Sequence, residues 1–207
     1  MTPLQISGGT PIDCSGTAQE RGLAQAANAT AADMPEILAA TVGRVATARA
    51  DGVIDAEAEA YLAAQYAFAE ANDPQSLAEL GGIAKGFELS KRDIFAHLHL
   101  GTIRDLKSGA RLDSDGCSAW AVSDGPEGPM VVKNRDLSGP HKGVQSVARH
   151  SGMDFATGTM LCVGSFGSPG AYSSGMNAKG LALADTQVAV ATHRVGWLRY
   201  FLMTRLL

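Results

Sequence analysis

The sequence has few cysteines, three among 207 residues, and they are far apart. Cys14, Cys117 and Cys162 are odd in number and widely spaced, which argues against a disulfide framework. They also lack the Cys-x-x-Cys pairs from which many zinc sites are built. A cysteine with a chemical role in this chain is therefore expected to act alone.

Positive charge is not in excess either, since 17 basic side chains stand against 21 acidic ones. Nucleic-acid-binding domains and polybasic membrane anchors need such an excess, so neither a nucleic acid nor a membrane is expected as a partner. No apolar run reaches the roughly 18 residues that span a bilayer. Residues 1–5 show no features of a secretory signal, and we expect a cytoplasmic protein.

The chain does have enough apolar material for a core, with 45% hydrophobic residues, and its two halves differ. Between Ala24 and Ala71, 19 of 48 residues are alanine, which predicts several helices. Asp55 is the expected N-cap of one helix, and Pro74 follows Asp73 at the start of the next. The predicted helices include 56–71, 75–87 and 91–100.

From Ser118 onward, short apolar runs separated by Gly, Pro, Ser and Asp predict strands and tight turns. The predicted strands include 119–122, 130–133, 160–163 and 180–184, with a hairpin turn at 124–129. A helical first half followed by antiparallel strands predicts an α+β fold. Residues 195–207 have helical composition without a capping glycine, which we interpret as a chain cut inside a helix; the alternative is an apolar helix docked on the sheet.

Cys117 stands between Gly116 and the first predicted strand, where a thiol would be presented at a sheet edge. The ordinary interpretation of a single cysteine is a small buried hydrophobic residue. In a hairpin, the start of the first strand lies opposite the end of the second, so Cys117 and Asp136 are expected to be neighbours. The alternative interpretation of residues 134–136 is a solvated turn.

Segments 115–120, Asp-Gly-Cys-Ser-Ala-Trp, and 132–136, Val-Lys-Asn-Arg-Asp, resemble the signature of the acyl-coenzyme A:isopenicillin N (6-aminopenicillanic acid) acyltransferase family. Members of this family are N-terminal-nucleophile (Ntn) cysteine enzymes. Three further segments agree in order: Gly-Thr-Pro at 9–11, Gly-Gly-Ile-Ala-Lys-Gly at 81–86, and Gly-Met-Asn-Ala-Lys-Gly between strands at 175–180. The similarity runs from about residue 4 to the C-terminus.

The resemblance implies an αββα sandwich and a precursor that cuts its own chain between Gly116 and Cys117. Residues 1–116 would be a helical α-chain-like segment, and residues 117–207 would begin the catalytic β-chain-like segment. The two segments would stay associated as part of one Ntn domain, which would be incomplete here. Glycine before the nucleophile suits this cleavage, because it offers no side chain to obstruct the tetrahedral intermediate.

The resemblance also assigns roles to single residues. Cys117 would be both nucleophile and base, since its freed α-amino group, typically of pKa ~7.7–8.0, can take the thiol proton. Asp136, at the aspartate of the family's Asn-x-Asp motif, would orient this amine and the substrate. Asn134 and Arg135 would belong to the substrate pocket. Lys133 stands where related bile-salt and penicillin V amidases have arginine and would contact substrate; the alternative is a solvated strand end.

The implied reaction is acyl transfer in two steps: Cys117 takes an acyl group from an amide or an acyl thioester, such as acyl-coenzyme A, and passes it to water or an amine. The family's oxyanion asparagine and a site arginine have no counterpart before Leu207, so we expect part of the active site to be missing. One alternative is a non-catalytic fragment that acts as a binding or assembly module. Another is a bile-salt or penicillin V type amidase.

The histidines do not predict a metal site. His97 and His99 are two apart in a predicted helix and point to different faces, which favours packing over a metal pair. His141, His150 and His193 are expected near loops, without ligand clusters. The glycines at 164–180 form no nucleotide-binding motif and are interpreted as strand turns, so no cofactor is expected. We expect Cys14 and Cys162 to be inert buried thiols.

Overall fold

Helices fill most of the first half of the chain, and strands fill most of the second, giving an α+β fold. The computed structural model describes residues 11–108, 116–126, 128–136, 139–188 and 192–207. The helices are α1 (Ala18–Asn28), α2 (Met34–Ala40), α3 (Val42–Ala50), α4 (Ala56–Asn72), α5 (Pro74–Gly86), α6 (Lys91–Ser108) and α7 (Arg199–Leu206). The strands are β1 (Ile12–Ser15), β2 (Cys117–Gly125), β3 (Gly128–Arg135), β4 (Gln145–Ser151), β5 (Thr159–Ser165), β6 (Ser174–Asn177) and β7 (Ala182–Ala184).

Helix caps explain why the helices at 56–71 and 75–87 are predicted well. The Asp55 carboxylate accepts a hydrogen bond from the Ala58 amide at 3.0 Å, and Asp73 caps the helix that begins at Pro74. The third predicted helix ends too early, because α6 continues through Gly101 to Ser108. An added Cβ at Gly101 would meet the Gln187 amide at 3.1 Å, so this glycine gives Gln187 room against the helix.

The main sheet joins the two halves of the chain. Its strand order is β1-β4-β5-β6-β7, in which β1 runs parallel to β4 and the other neighbours are antiparallel. The edge strand β1 comes from the segment predicted to be helical, so the sheet crosses the expected boundary at residue 116. Residues 1–10 and 109–115, which include Asp115 and most of the Gly-Thr-Pro segment, lie outside the described residues.

One face of this sheet is buried under helices. His150 of β4 is aligned with Cys14 of β1 and Met160 of β5, and all three residues are buried. The His150 Nδ1 atom lies 3.8 Å from the Glu79 carboxylate of α5, and α7 packs on the same face. The opposite face carries half-buried or exposed apolar side chains, namely Val147, Leu161, Val163 and Met176.

Glycines line the contact between helices α1 and α5, so that the two backbones approach each other without intervening side chains. A Cβ added at Gly82 would lie 2.0 Å from the Gln19 carbonyl oxygen, and one added at Gly22 would lie 2.1 Å from that of Glu79. Neither position has room for a side chain. The glycine-rich segment at 81–86 therefore serves helix packing in this structure.

The structure corrects two predictions for the second half of the chain, both of which concern segments that were not expected to be strands. His150 lies inside β4 rather than near a loop, and it is buried. The strand was not predicted because its sequence, Gln-Ser-Val-Ala-Arg-His-Ser, is mostly polar. Segment 175–180 is not only a connection, because its first residues belong to β6.

The final helix is shorter than predicted and packs on the sheet through Met203 and Leu207. Among the described residues, no helix has both the length and the hydrophobicity to cross a membrane.

Candidate functional site around Cys117

Cys117 is the first residue of a two-stranded hairpin that stands apart from the main sheet. Strands β2 and β3 pair antiparallel, with Cys117 opposite Arg135 and Ala119 opposite Lys133. Because side chains alternate along a strand, Cys117, Arg135 and Lys133 share one face of the hairpin. Asn134 is aligned with Ser118 on the other face and is exposed, so the hairpin does not bring Asn134 together with the thiol.

Gly116 and Asp136 extend the hairpin by one backbone hydrogen bond. The Asp136 amide N–H donates to the Gly116 carbonyl oxygen at 3.0 Å. The structure therefore places Asp136 beside Cys117, at adjacent strand ends. Gly116 is exposed, and a Cβ built on it would have no atom of the described residues within 4 Å. The carbonyl group that precedes the thiol thus already has one hydrogen-bond donor directed at its oxygen.

Lys133 is held in an ion pair. Its ammonium group donates to the Asp185 carbonyl oxygen and lies 3.4 Å from an Asp185 carboxylate oxygen. The Lys133 side chain is 7% exposed, so the alternative of a solvated strand end is wrong. Asp185 also lies 3.1 Å from the Arg199 Nε atom, so its carboxylate forms ion pairs with both Lys133 and Arg199.

Arg135 reaches from the hairpin toward the main sheet. Its Nη1 atom donates to the Ser165 hydroxyl at 3.3 Å, and its guanidinium carbon lies 5.3 Å from the centre of the Tyr172 ring. The face of the hairpin that carries Cys117 is thus tied to the rest of the fold by two basic side chains, through Lys133 at Asp185 and through Arg135 at Ser165 and Tyr172.

The three cysteines have different environments. Cys14 and Cys162 are 0% and 1% exposed, whereas Cys117 is partly exposed. Burial, together with the nearby Glu79 carboxylate, raises the pKa of the Cys14 thiol to about 12 and raises the pKa of Cys162 as well. Both buried thiols stay protonated at neutral pH, and a reactive thiolate needs access and a lower pKa. Cys117 is the candidate for thiol chemistry.

Sequence reasoning missed Asp185, Ser165 and Tyr172, which contact the basic residues of the hairpin, and it missed Arg199, which pairs with Asp185. Their separation along the chain, 52 residues between Lys133 and Asp185, leaves no local pattern to identify them. Asp185 does follow the predicted strand 180–184 directly, and a carboxylate at a strand end is the one signal that points to it. In the described ranges, no three His, Cys, Asp or Glu side chains are grouped so that they could hold a metal ion.

Taken together, the hairpin presents a partly exposed thiol, a peptide carbonyl on its N-terminal side that accepts one N–H hydrogen bond, and two basic residues on its face. This arrangement suits attack of a thiol on a carbonyl group, since a fixed N–H donor stabilises the negative charge that forms on the oxygen. Comparison of the chain with protein-family models and with curated proteins found no match.

Proposed function

We propose that this chain is an Ntn cysteine amidohydrolase or acyltransferase that matures by cutting its own backbone between Gly116 and Cys117. The observation that carries the proposal is the hydrogen bond of 3.0 Å from the Asp136 N–H to the Gly116 carbonyl oxygen, next to a partly exposed Cys117. This donor is directed at the oxygen that becomes negative when Cys117 attacks.

In the proposed cleavage, Cys117 Sγ bonds to the carbonyl carbon of Gly116, and the peptide C–N bond breaks. The leaving nitrogen takes a proton and becomes the α-amine of Cys117, while Gly116 is held as a thioester. Water then attacks the thioester, giving the Gly116 carboxylate and the free thiol. The products are residues 1–116 and residues 117–207.

In the proposed enzymatic reaction, the new α-amine of Cys117 takes the thiol proton, and the thiolate attacks the substrate carbonyl. The substrate C–N or C–S bond then breaks, and the leaving amine or thiol takes the proton held by the α-amine. The acyl group, now a thioester on Cys117, passes to water or an amine and frees the thiol. Asp136, at the adjacent strand end, would orient the α-amine. Lys133 and Arg135 share the face of Cys117 and would line the pocket. Asn134 is on the other face and, by the same alternation, so is the Asp136 side chain, which would therefore act on the backbone α-amine and not on the thiol.

The fold supports the proposal in a coarser way. An αββα sandwich has two sheets between two helical layers, and here helices cover one face of the main sheet. The other face, with Val147, Leu161, Val163 and Met176, has the apolar character that a second sheet would cover. The β2–β3 hairpin would be part of that second sheet, as contacts between β3 and β7 bring it to the edge of the first.

Intact-mass measurement of the purified full chain tests the proposal. We expect two polypeptides, 1–116 and 117–207, and a single uncut chain for Cys117→Ala. Ser118→Ala is the matched control, because Ser118 is exposed on the other face of the hairpin, and it should be cut like the wild type. An uncut wild-type chain whose Cys117 does not react with an alkylating agent would contradict the proposal.

A second candidate, a non-catalytic binding module, is favoured by one observation away from Cys117. A cavity of about 290 Å³ lies between α4, α6 and the segment that leads into α7. In it, His193 Nε2 lies 3.5 Å from the Asp105 carboxylate, and the buried His99 Nε2 has no hydrogen-bond partner among the described residues. A chain that stays uncut and unreactive but binds a small polar molecule in this cavity would favour this function.

A further inference from the structure

A cluster of basic and aromatic side chains lies where the hairpin meets the helices, and it involves neither Cys117 nor Asp136. We call it the basic cluster, and its members come from five parts of the fold. They are Arg44 of α3, His97 of α6, Arg135 of β3, His141 of the short 3-10 turn Gly139–His141, and Tyr172 of the β5–β6 connection.

Measured contacts join these residues into one group. The Arg44 Nη1 atom lies 3.1 Å from His141 Nε2. The His97 ring lies 6.0 Å from the His141 ring and 6.4 Å from the Tyr172 ring, between centroids, and all three rings are nearly parallel. Arg135 completes the group, with its guanidinium carbon 5.3 Å from the Tyr172 centroid.

The contact with Arg44 fixes the tautomer of His141. A guanidinium can only donate hydrogen bonds, so His141 Nε2 is the acceptor. Burial, and then the positive charges of Arg44 and Arg135, lower the pKa of His141 to about 4, so its ring is neutral at pH 7. The single ring proton is then on Nδ1. His141 is 3% exposed, and its Nδ1–H group has no hydrogen-bond acceptor among the described residues.

His97 repeats this situation. It is also 3% exposed, and its Nδ1 atom has no hydrogen-bond partner among the described residues. Burial, followed by Arg44 and His141, lowers its pKa to about 3. No carboxylate of the described residues acts on the pKa of either histidine, and none forms an ion pair with Arg135. Tyr172 faces Tyr200, Arg135 and Arg44, again without a carboxylate.

We propose that the basic cluster is a binding site for an anionic group, a carboxylate or a phosphate, with the Arg135 guanidinium and His141 Nδ1–H as donors. An anion would supply the acceptor that the buried His141 N–H lacks and would accept hydrogen bonds from the Arg135 guanidinium. Arg135 is the cross-strand partner of Cys117, so the side chain that binds the anion would come from the same face of the hairpin as the thiol. The inference stands whether or not Cys117 is a nucleophile.

The experiment uses the full-length Cys117→Ala chain, which stays uncut, and inorganic phosphate as the probe. Calorimetric titration at pH 7 should show saturable binding, and the imidazole NMR signals of His97 and His141 should shift with the same dissociation constant. Arg135→Gln should weaken binding by about tenfold or more, since it removes a charged donor. Arg149→Gln is the matched control and should leave binding unchanged, because Arg149 is exposed and pairs with Asp13 on β1.

A second titration distinguishes the source of the anion. N-acetylglycine carries a carboxylate and an amide, and acetate carries the carboxylate alone. If N-acetylglycine displaces phosphate and binds more tightly than acetate, the site holds the anionic group of a larger molecule. If phosphate binds and N-acetylglycine does not compete, the site holds a free anion.

Two results would overturn the proposal. One is the absence of saturable binding of phosphate or of either carboxylate, which would mean that ordinary water satisfies the buried donors. The other is phosphate binding that leaves the His97 and His141 signals unchanged. The NMR readout needs no variant, so it decides the question even if Arg135→Gln fails to fold.

Discussion

The Asp136 backbone N–H donates a hydrogen bond of 3.0 Å to the carbonyl oxygen of Gly116, the residue just before the partly exposed thiol. This contact comes from the backbone of the hairpin, and so it does not depend on the carboxylate of Asp136. The two contributions proposed for residue 136, an N–H that binds the Gly116 carbonyl and a carboxylate that would orient the amine formed by cleavage, can therefore be separated by substitution.

Asp136→Pro removes the N–H, while Asp136→Ala keeps it and removes the carboxylate. If the N–H stabilises the oxyanion of the self-cleavage step, the proline variant should be cut about 10²–10³-fold more slowly than the alanine variant. Proline is compatible with the extended conformation of Arg135 before it. The rate is measured by intact mass against time after translation, and circular dichroism checks the fold. Equal rates for the two folded variants would show that the N–H has no role in cleavage.

The cysteines should differ in reactivity in the native protein. Iodoacetamide at neutral pH is expected to add one group, at Cys117, while Cys14 and Cys162 react only in denaturant, because both are buried and keep raised thiol pKa values. Peptide mapping after labelling locates the groups. Cys117→Ala should take up none in the native state, and rapid native labelling of Cys162 would contradict the structure.

Some of these features can be predicted from sequence, and the reasons are local. Asp55 and Pro74 carry helix-start signals within three residues of where they act, so α4 and α5 were placed closely. The pairing of β1 with β4 is different, since four residues around Cys14 align with residues 136 positions later. No local pattern contains such information.

The same distinction between local and long-range contacts holds within the candidate site. The hairpin that joins Cys117 to Asp136 follows from a short turn and is visible in the sequence. The ion pair of Lys133 with Asp185 is not visible, because the two residues are brought together by the packing of β3 against β7. For the same reason, the basic cluster around His141 was not predicted from sequence.

Two adjacent glycines of α5 should respond in opposite ways to alanine. Gly82→Ala should destabilise the protein by about 1–3 kcal/mol, because the new methyl group would meet the Gln19 carbonyl oxygen and push α1 away. At Gly81, the nearest atom to an added Cβ is 3.7 Å away on the Lys91 side chain. Gly81→Ala should therefore stabilise by up to about 1 kcal/mol through helix propensity. Urea denaturation measures both, and equal effects would contradict the close packing.

Asp185 should matter more for stability than either of its partners. Asp185→Asn leaves Lys133 and Arg199 without compensation, and we expect a loss of about 1–3 kcal/mol, reduced from the value for fully buried pairs because Arg199 is partly exposed. Lys133→Met should cost less, since Asp185 keeps its contact with Arg199. Urea denaturation of the two variants gives the order, and a larger loss for Lys133→Met would refute it.

Acid should destabilise the fold through its buried imidazoles. Burial lowers the pKa of His97 to about 3 and those of His99 and His141 to about 4, against an ordinary value of 6.5. Below pH 6.5 the unfolded chain binds protons that the folded chain does not, so stability falls as pH drops toward 4. The slope is up to about 1.4 kcal/mol per pH unit for each imidazole.

Urea denaturation at half-unit steps from pH 8 to pH 5 checks this expectation. These imidazoles should contribute almost no slope near pH 8, where the folded and unfolded states are both deprotonated, and this end of the range is the internal control. His141→Gln should reduce the slope below pH 6.5. A stability that is constant between pH 5 and pH 7 would contradict the burial of these rings.

The parallel pairing of β1 with β4 has a consequence for a chain cut after Gly116. The cut would leave β1 in one piece and the other four strands of the sheet in the other, and the Arg21 guanidinium would still bind the Asp154 carboxylate at 2.7 Å across the two pieces. The cut chain would migrate as a single particle in gel filtration. Its unfolding would also become a dissociation, so its melting temperature would rise with protein concentration, which does not happen for one continuous chain.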